Sequence, residues 1–420
     1  MHHRPCRGRR YDTPGEAHRR GVSRPGLAGN VTPVPRLADH LSAVPPSGIR
    51  HLFEIALRLD GVTLLAVGEP DVPTAPHIIE AARAAWAADD TRYGPNGGVP
   101  ELRRAIVEKL ARDNGIEADV EQVWVTVGAT QALHQAMTLL LGPGDEVLIP
   151  DPGYTVFTTN ARTIGAVPVP YTLRAENAFL PDPDEVERLI TDRTRVLIVN
   201  SPSNPLGVVF PREVLERLLD IARRHDLWVL SDEVYEYFTY GRPHVSLAAI
   251  AQERGDDADR VLSVFSFSKT YAMTGVRVGY LVTPPGFTSI MVTVQEAAIS
   301  CVATPDQRAA LAALTGPQDA VASASDHYLA NLRLATGVLD ERGIAYREPE
   351  GAFYLWIDMA HATGGDVASW VESFLLGTLV AVAPGSAFGR TGEGWIRVCL
   401  AADPAALEHG LRALPAPVRG

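Results

Sequence analysis

Primary amines are scarce in this chain, because only two of its 38 basic residues are lysines, Lys109 and Lys269. Lys269 follows an apolar run in the stretch SFSKTYAMTGVRVGY (266–280), among hydroxyl residues and eight residues before Arg277. A lysine amine with its ordinary pKa of about 10.4 is a poor nucleophile at neutral pH, so catalysis requires burial or a cationic neighbour to lower the pKa. A buried strand end and Arg277 would supply both, which predicts Lys269 as the reactive amine.

Other polar groups follow further apolar runs. Ala129 and Thr130 open a helical pattern after VWVTV, Asn204 lies in NSPSNPLG after RVLIV, and Asp232 and Tyr235 follow LWVLS. Parallel α/β sheets bind ligands beyond the carboxyl ends of their strands, and helix N-termini there bind anions. Each motif alone also fits a helix cap or a turn. The prediction of a site therefore rests on the combination of these groups at successive strand ends.

Pyridoxal phosphate chemistry requires this combination of groups. The cofactor needs a lysine for its Schiff base, a carboxylate beside the pyridine nitrogen, a donor near the ring oxygen and an anion site for the phosphate. All four are present. Lys109 lies instead within a helical pattern, on the flank of Leu102 and Ile106 and far from any strand end, so we expect it to snorkel along the helix.

The chain resembles the fold-type I pyridoxal-phosphate aminotransferases of class I, close to their aspartate and aromatic aminotransferase subgroup. The resemblance runs from about residue 45 to the C-terminus. It is carried by the motifs VGEPD, YGPNGGVPELR, GATQA, NSPSNPLG, SDEVYE, SFSKTYAMTGVRVGY, GAFYLW and PGSAFG.

The resemblance implies a role for each matching residue. Lys269 would form the internal aldimine and move the proton between the substrate α-carbon and the cofactor, with Asp232 and Tyr235 as the other catalytic residues. Arg397 in GWIRVCLA would bind the substrate α-carboxylate, and Gly68 lies beside it. The residues implied to bind pyridoxal 5′-phosphate are Ala129, Thr130, Tyr154, Asn204, Asp232, Tyr235, Ser266, Ser268, Lys269, Arg277 and, from the neighbouring subunit of a homodimer, Tyr93; Asn204 is also placed with Gly68 and Arg397 at the substrate.

Two departures from the family pattern bear on specificity. Leu206 replaces the threonine of the family's NPTG, at a position that does not contact the cofactor. The segment QEAAISCVATPDQ (295–307) contains no arginine, although some family members take a second carboxylate-binding arginine from this neighbourhood. Strict selectivity for dicarboxylic substrates is therefore not expected.

The elements that must position these residues alternate along the chain. Short β-branched runs such as VWVTVG, TRVLIVN and RVLSVFSFS are separated by amphipathic helical patterns from residue 76 onward. This order predicts an α/β fold with a mostly parallel sheet covered on both faces, and the resemblance implies seven strands. The predicted divisions are a disordered basic tail (1–30), an N-terminal segment packing on the small domain (31–75), a large cofactor-binding domain (76–310) and a small C-terminal α/β domain (311–420).

Composition excludes several classes of protein. The net charge of −12 argues against general nucleic-acid binding, and no apolar run approaches the roughly 20 residues that span a bilayer. The three widely spaced cysteines suggest neither a disulfide framework nor a metal site. We therefore expect a cytoplasmic enzyme whose partners are a small amino acid, a 2-oxo acid and a second copy of itself, with no membrane or nucleic-acid partner.

Two alternative functions share this pattern. A related enzyme performing elimination, cyclisation or decarboxylation in a biosynthetic pathway would use the same cofactor-binding motifs. An aminotransferase-like domain of a transcription regulator would need a DNA-binding module before residue 45, where the arginine-rich tail shows no helix-turn-helix pattern. A nicotinamide dehydrogenase is disfavoured because no G-x-G-x-x-G follows the early strands.

Overall fold

The main sheet has seven strands, six of which run in the same direction. The computed structural model describes residues 38–44, 48–255 and 258–418, so the predicted basic tail lies outside the described residues. The strands of the described part are β1 Thr63–Leu64, β2 Val123–Thr126, β3 Glu146–Asp151, β4 Val167–Thr172, β5 Thr194–Asn200, β6 Trp228–Asp232, β7 Val261–Ser266, β8 Gly279–Val282, β9 Tyr346–Arg347, β10 Tyr354–Asp358, β11 Val380–Ala381, β12 Ala383–Pro384 and β13 Trp395–Cys399.

The order of strands in the main sheet is β2-β8-β7-β6-β5-β3-β4. Only β8 is antiparallel to its neighbours, β2 and β7. The predicted α/β fold with a mostly parallel, seven-stranded sheet is confirmed. Because β5, β6 and β7 are parallel and adjacent, their carboxyl ends meet at one edge of the sheet.

Helices cover both faces of this sheet. The α-helices of the described part are α1 Gly48–Ala56, α2 Pro76–Ala87, α3 Pro100–Lys109, α4 Gly128–Leu140, α5 Thr155–Thr163, α6 Pro183–Arg188, α7 Arg212–Arg224, α8 Leu247–Arg254, α9 Phe267–Thr270, α10 Thr288–Ala298, α11 Thr304–Thr315, α12 Asp319–Arg342, α13 Ala360–Thr363, α14 Val367–Thr378 and α15 Pro404–Ala413.

Alternating side chains of one strand show how the layers pack. Val125 of β2 packs in a cluster with Leu102 of α3, whereas its neighbour Trp124 packs with Leu133 of α4. Successive side chains of a strand point to opposite faces, so both faces of the sheet are buried under helices. This explains why the strands appear in the sequence as continuous apolar runs.

A second sheet of four antiparallel strands, ordered β12-β13-β10-β9, carries Arg397. Trp356 of β10 stacks on Trp395 of β13, with ring centroids 5.9 Å apart. β1 pairs with β11, so the chain leading into Gly68 lies beside this sheet. From Asp39 to Val418, the described residues form one compact unit that contains both sheets. Across the described residues, no helix is both long and apolar enough to cross a membrane.

Candidate active site

A cavity of about 280 Å³ lies beyond the carboxyl ends of β5, β6 and β7. Every site residue predicted from the sequence lines it except Tyr93. The predicted residues in its wall are Gly68, Ala129, Thr130, Tyr154, Asn204, Asp232, Tyr235, Ser266, Ser268, Lys269, Arg277 and Arg397. The fold thus brings together groups that are up to 329 residues apart in sequence, counted from Gly68 to Arg397 (397 − 68).

Lys269 lies on the short helix α9, directly after β7. Its Nζ donates a hydrogen bond to the backbone oxygen of Gly68 at 2.7 Å. Burial lowers the pKa of Lys269 to about 8, and the positive charges of Arg397 and Arg277 act in the same direction. About a tenth of this amine is therefore unprotonated at pH 7, far more than at its ordinary pKa, as a nucleophile or base requires.

Asp232 ends β6 and is 2% exposed. Its carboxylate accepts only a long hydrogen bond, 3.4 Å from the backbone N–H of Val234, and no ion pair to it is formed among the described residues. Burial raises the pKa of Asp232 to about 7, and the neighbouring negative charge of Glu233 adds to the effect. A buried carboxyl group without a cation matches the protonated nitrogen of a pyridine ring.

The N-terminus of α4 offers donors that are suited to an anion. N–H groups in the first turn of a helix have no acceptor one turn earlier, so those of Ala129 and Thr130 are available to a ligand. Arg277 adds a charge and donates to the backbone oxygen of Thr274 at 2.8 Å. The turn fits closely, since a Cβ on Gly128 would lie 2.5 Å from Arg277 Nη2.

Two hydroxyl groups complete this anion site. Ser266 caps α9 by accepting from the backbone N–H of Ser268 at 3.1 Å, and both side chains line the cavity. Backbone N–H groups, hydroxyls and a guanidinium together are the donors that bind a phosphate dianion.

Arg397 is another residue of the cavity wall and is 3% exposed. Its guanidinium donates to Asn204 Oδ1 at 2.9 Å and to the backbone oxygen of Ala66 at 2.5 Å. It also lies over the rings of Tyr354 and Phe388, at 4.3 and 4.8 Å from their centroids. Its Nε is buried without a partner. A buried guanidinium with an unused donor is suited to a carboxylate ligand.

Tyr235 and Tyr354 share a hydrogen bond between their hydroxyl oxygens at 2.7 Å. Burial raises the pKa of both phenols, so both stay protonated and act as neutral donors. The tyrosine pair also limits space at the substrate end, since a Cβ on Gly68 would lie 2.0 Å from the Tyr354 hydroxyl. Tyr154 forms another wall and packs edge-on against Phe157.

Several cavity residues were not predicted. Tyr354 lies in the motif GAFYLW, to which the sequence analysis assigned no role, and its position opposite Tyr235 depends on how the two sheets meet. Asn200 holds the backbone of Asn204 in place, because its Oδ1 accepts a hydrogen bond from the backbone N–H of Asn204 at 2.9 Å. The remaining unpredicted wall residues are Ile49, Val67, Leu133, Val234 and Thr274.

Tyr93 does not reach the cavity of its own chain and is 92% exposed. Leu206 is fully buried in the core and does not line the cavity, as expected for a position without cofactor contact. No residue of 295–307 forms part of the cavity wall. Within the described part of the chain, no cluster of three or more histidine, cysteine or acidic side chains is arranged to hold a metal ion.

The snorkelling role predicted for Lys109 is wrong. Lys109 is 1% exposed and its Nζ forms an ion pair with Glu236 at 2.5 Å and a hydrogen bond with Asn114 Oδ1 at 2.7 Å. Glu236 follows 127 residues later in the chain, so the pairing could not be found from local sequence. Because its amine is held in an ion pair outside the cavity, Lys109 is not placed to react there.

Comparisons with known proteins find a matching family and several relatives. The family described as "Aminotransferase class I and II" matches residues 60–414. The chain is 40% identical to an aspartate aminotransferase of Pyrococcus abyssi, over 89% of this chain and 96% of the relative. It is 38% identical to aromatic-amino-acid aminotransferase 2 of Thermococcus litoralis, with the same coverage. A solved structure of a Thermus thermophilus aspartate aminotransferase single mutant, 36% identical, superposes with a TM-score of 0.84 over 90% of this chain and 99% of that one.

Proposed function

The chain belongs to the class I and II aminotransferases and catalyses transamination; from this premise we propose that it uses pyridoxal 5′-phosphate bound at Lys269 and moves the amino group of an L-amino acid to a 2-oxo acid. The observation that carries the proposal is the buried Lys269 amine in one cavity with an unpaired Asp232 carboxyl and the Arg397 guanidinium. The family is one that uses this cofactor.

The cavity has the donors and acceptors that the cofactor needs. Bound pyridoxal phosphate supplies an electron-withdrawing ring that stabilises negative charge at the substrate α-carbon. The unpaired carboxyl of Asp232 would accept the ring N–H⁺, and Asn204 and Tyr235 would donate to the ring oxygen. The phosphate would be held by the N–H groups of Ala129 and Thr130 and by the side chains of Ser266, Ser268 and Arg277, with Tyr154 as the wall beside the ring.

Two side chains act on the substrate itself. Arg397 binds the α-carboxylate of the substrate, and its Nε is the donor that has no partner within the protein. The Nζ of Lys269, with its pKa lowered to about 8 by burial, would take a proton from the substrate α-carbon and deliver it to the cofactor side. The hydrogen bond from Nζ to the Gly68 oxygen holds the amine at the substrate end of the cavity.

The proposed substrates have uncharged or aromatic side chains. Among the described residues that line the cavity, the cations are Lys269, Arg277 and Arg397, and the proposed roles occupy all three. None of these three cations is left to bind a second carboxylate on the side chain of the substrate. The names of the relatives include both aspartate and aromatic aminotransferases, so the choice between acidic and aromatic substrates has to be argued from the residues of this cavity.

The experiment that tests the function mixes the purified holoenzyme with single amino acids under single-turnover conditions. The absorbance of the cofactor should change to that of its amino form, and adding 2-oxoglutarate or pyruvate should restore the aldehyde form. A preference for aspartate over phenylalanine or tyrosine of 100-fold or more in kcat/KM, about 2.7 kcal/mol, would contradict the proposed substrate range. Failure of any oxo acid to restore the aldehyde would contradict transamination.

The enzyme is further proposed to be a homodimer with shared active sites. Tyr93 is a large aromatic residue that is 92% exposed and outside its own cavity, as expected of a side chain that contributes to the site of a partner.

The division into a large domain (76–310) and a small domain (311–420) is also a proposal. It is supported by the separate seven-stranded and four-stranded sheets, between which the cavity lies with Arg397 on the smaller one.

A further inference from the structure

A buried polar network lies directly behind the cavity and has no part in the mechanism described above. Glu233 follows Asp232 at the end of β6 but does not line the cavity, because successive side chains at a strand end point to opposite sides. It is 1% exposed. A carboxylate buried to this degree normally has a cation or several donors to keep it charged.

Three donors hold the Glu233 carboxylate. Ser231 donates to Oε1 at 2.8 Å, Ser246 donates to Oε2 at 2.6 Å, and His244 Nε2 lies 2.8 Å from Oε2. Burial alone would raise the pKa of Glu233, but the hydrogen bonds from these three donors lower it below its ordinary value. Glu233 is therefore an anion at neutral pH.

The surrounding groups do not cancel this charge. Asn114 links Ser246 to Glu236, and Glu236 is neutralised by its ion pair with Lys109. His244 Nδ1 is buried without a hydrogen-bond partner, so a second proton on the imidazole would be an unpaired buried donor. Apart from His244, the network holds one lysine and two glutamates, so its anionic groups outnumber its cations by one.

We propose that Glu233 is a positioning residue whose fixed negative charge, behind Asp232, favours the protonated state of the ring nitrogen of the bound cofactor. Asp232 makes the direct contact and Glu233 acts through it. On the cavity side, Tyr154, Lys269, Arg277 and Arg397 are the other charged or titratable groups near Asp232. The proposed function pairs Arg277 with the phosphate and Arg397 with the substrate α-carboxylate, whereas Lys269 carries the cofactor. The inference rests on that proposed function.

The test compares two ligands, pyridoxal phosphate and its 1-deaza analogue, in which a carbon replaces the ring nitrogen. Their dissociation constants are measured with cofactor-free protein, and the ratio between them isolates the contribution of the ring N–H⁺. In Glu233→Gln the preference for pyridoxal phosphate should fall about tenfold, the scale for a unit charge roughly 12 Å away at an effective dielectric constant of about 20. Glu233→Asp keeps the charge and should keep the preference within about threefold.

Each outcome distinguishes one explanation from another. Equal weakening of both ligands in Glu233→Gln would show a purely structural role and overturn the inference. Asp232→Asn is the reference, because it should lower the preference more than Glu233→Gln does. An unchanged preference in Asp232→Asn would overturn the proposed role of Asp232 itself. If Glu233→Gln does not fold, Glu233→Met removes the charge at similar side-chain volume and should lower the preference likewise; an unchanged preference there would equally overturn the inference.

Discussion

Asp232 shows how a single residue is prepared for its ligand by burial. In the folded, cofactor-free protein its pKa is about 7, whereas its ordinary value is 3.8. The folded state therefore binds a proton more tightly than the unfolded state, so the stability associated with this group is lost as the pH rises toward 7. A cationic ring nitrogen removes the cost by pairing with the carboxylate.

This predicts that a neutral variant lacks this pH dependence. Between about pH 5 and pH 8, the free energy of unfolding of the cofactor-free wild type should fall by about 3 kcal/mol relative to Asp232→Asn, which has no charge to bury. Denaturant unfolding of both proteins at several pH values measures the difference. A difference that stays constant with pH would mean that the carboxyl of Asp232 is ionised throughout.

Arg397 should act on all substrates equally, because it binds the α-carboxylate that every amino acid carries. Arg397→Lys replaces a planar fork by a point charge and should lower kcat/KM for phenylalanine, alanine and aspartate by about 10- to 100-fold each. The ratios between substrates should stay within about threefold. A loss confined to one substrate would place Arg397 at the side chain instead.

At the residue scale, the sequence predicted the groups that follow strands and missed those that depend on distant partners. Lys269 and Asp232 were found because a strand end is a local pattern with a known geometric consequence. The burial of Lys109 and the position of Tyr354 depend on contacts with segments more than 100 residues away. No local pattern contains that information.

Among the elements, the turn from β2 into α4 has a demanding geometry. Gly128 adopts a φ of +71°, and a side chain there would lie 2.5 Å from Arg277 Nη2. Gly144 provides a matched control, because its φ is +88° and nothing lies within 4 Å of an added Cβ. Both Gly→Ala substitutions carry the cost of the left-handed backbone, about 1 kcal/mol, but only one of them meets the guanidinium.

Gly128→Ala should therefore weaken pyridoxal phosphate binding at least tenfold relative to Gly144→Ala. Binding of pyridoxal, which lacks the phosphate, should change by less than about threefold, because the displaced guanidinium belongs to the anion site. Equilibrium dialysis with both ligands measures this. Equal loss for pyridoxal and its phosphate would contradict the assignment of this turn to the phosphate.

The succession of elements was predictable, but their arrangement was only partly so. Helices such as α12 and strands such as β7 appear in the sequence as periodic or continuous apolar patterns, and Gly115 ends the helical segment that begins with α3 as predicted. The antiparallel insertion of β8 between β2 and β7 has no such signal. The position of β8 depends on its pairing with β2, a strand that lies more than 150 residues earlier in the chain.

For the whole molecule, the proposed homodimer leads to a complementation experiment. Lys269→Ala removes the reactive amine, and Tyr93→Phe removes the hydroxyl proposed to reach the partner's phosphate site. In a mixed dimer, one site would combine the native Lys269 of one subunit with the native Tyr93 of the other. Mixing the two inactive or weakened proteins should restore activity, and each mixed dimer should approach half of the activity of a wild-type dimer. If mixed dimers form, as shown by differently tagged subunits, without any gain in activity, the shared site is excluded.

The central claim is that Lys269 is the residue that carries the cofactor. With only two lysines in the chain, borohydride reduction of the holoenzyme followed by peptide mass spectrometry gives a direct answer. Reduction should add mass to the peptide that contains Lys269, whose amine faces the cavity, and none to the peptide that contains Lys109, whose amine is paired with Glu236. Cofactor fixed on Lys109, or none fixed on Lys269, would contradict this assignment.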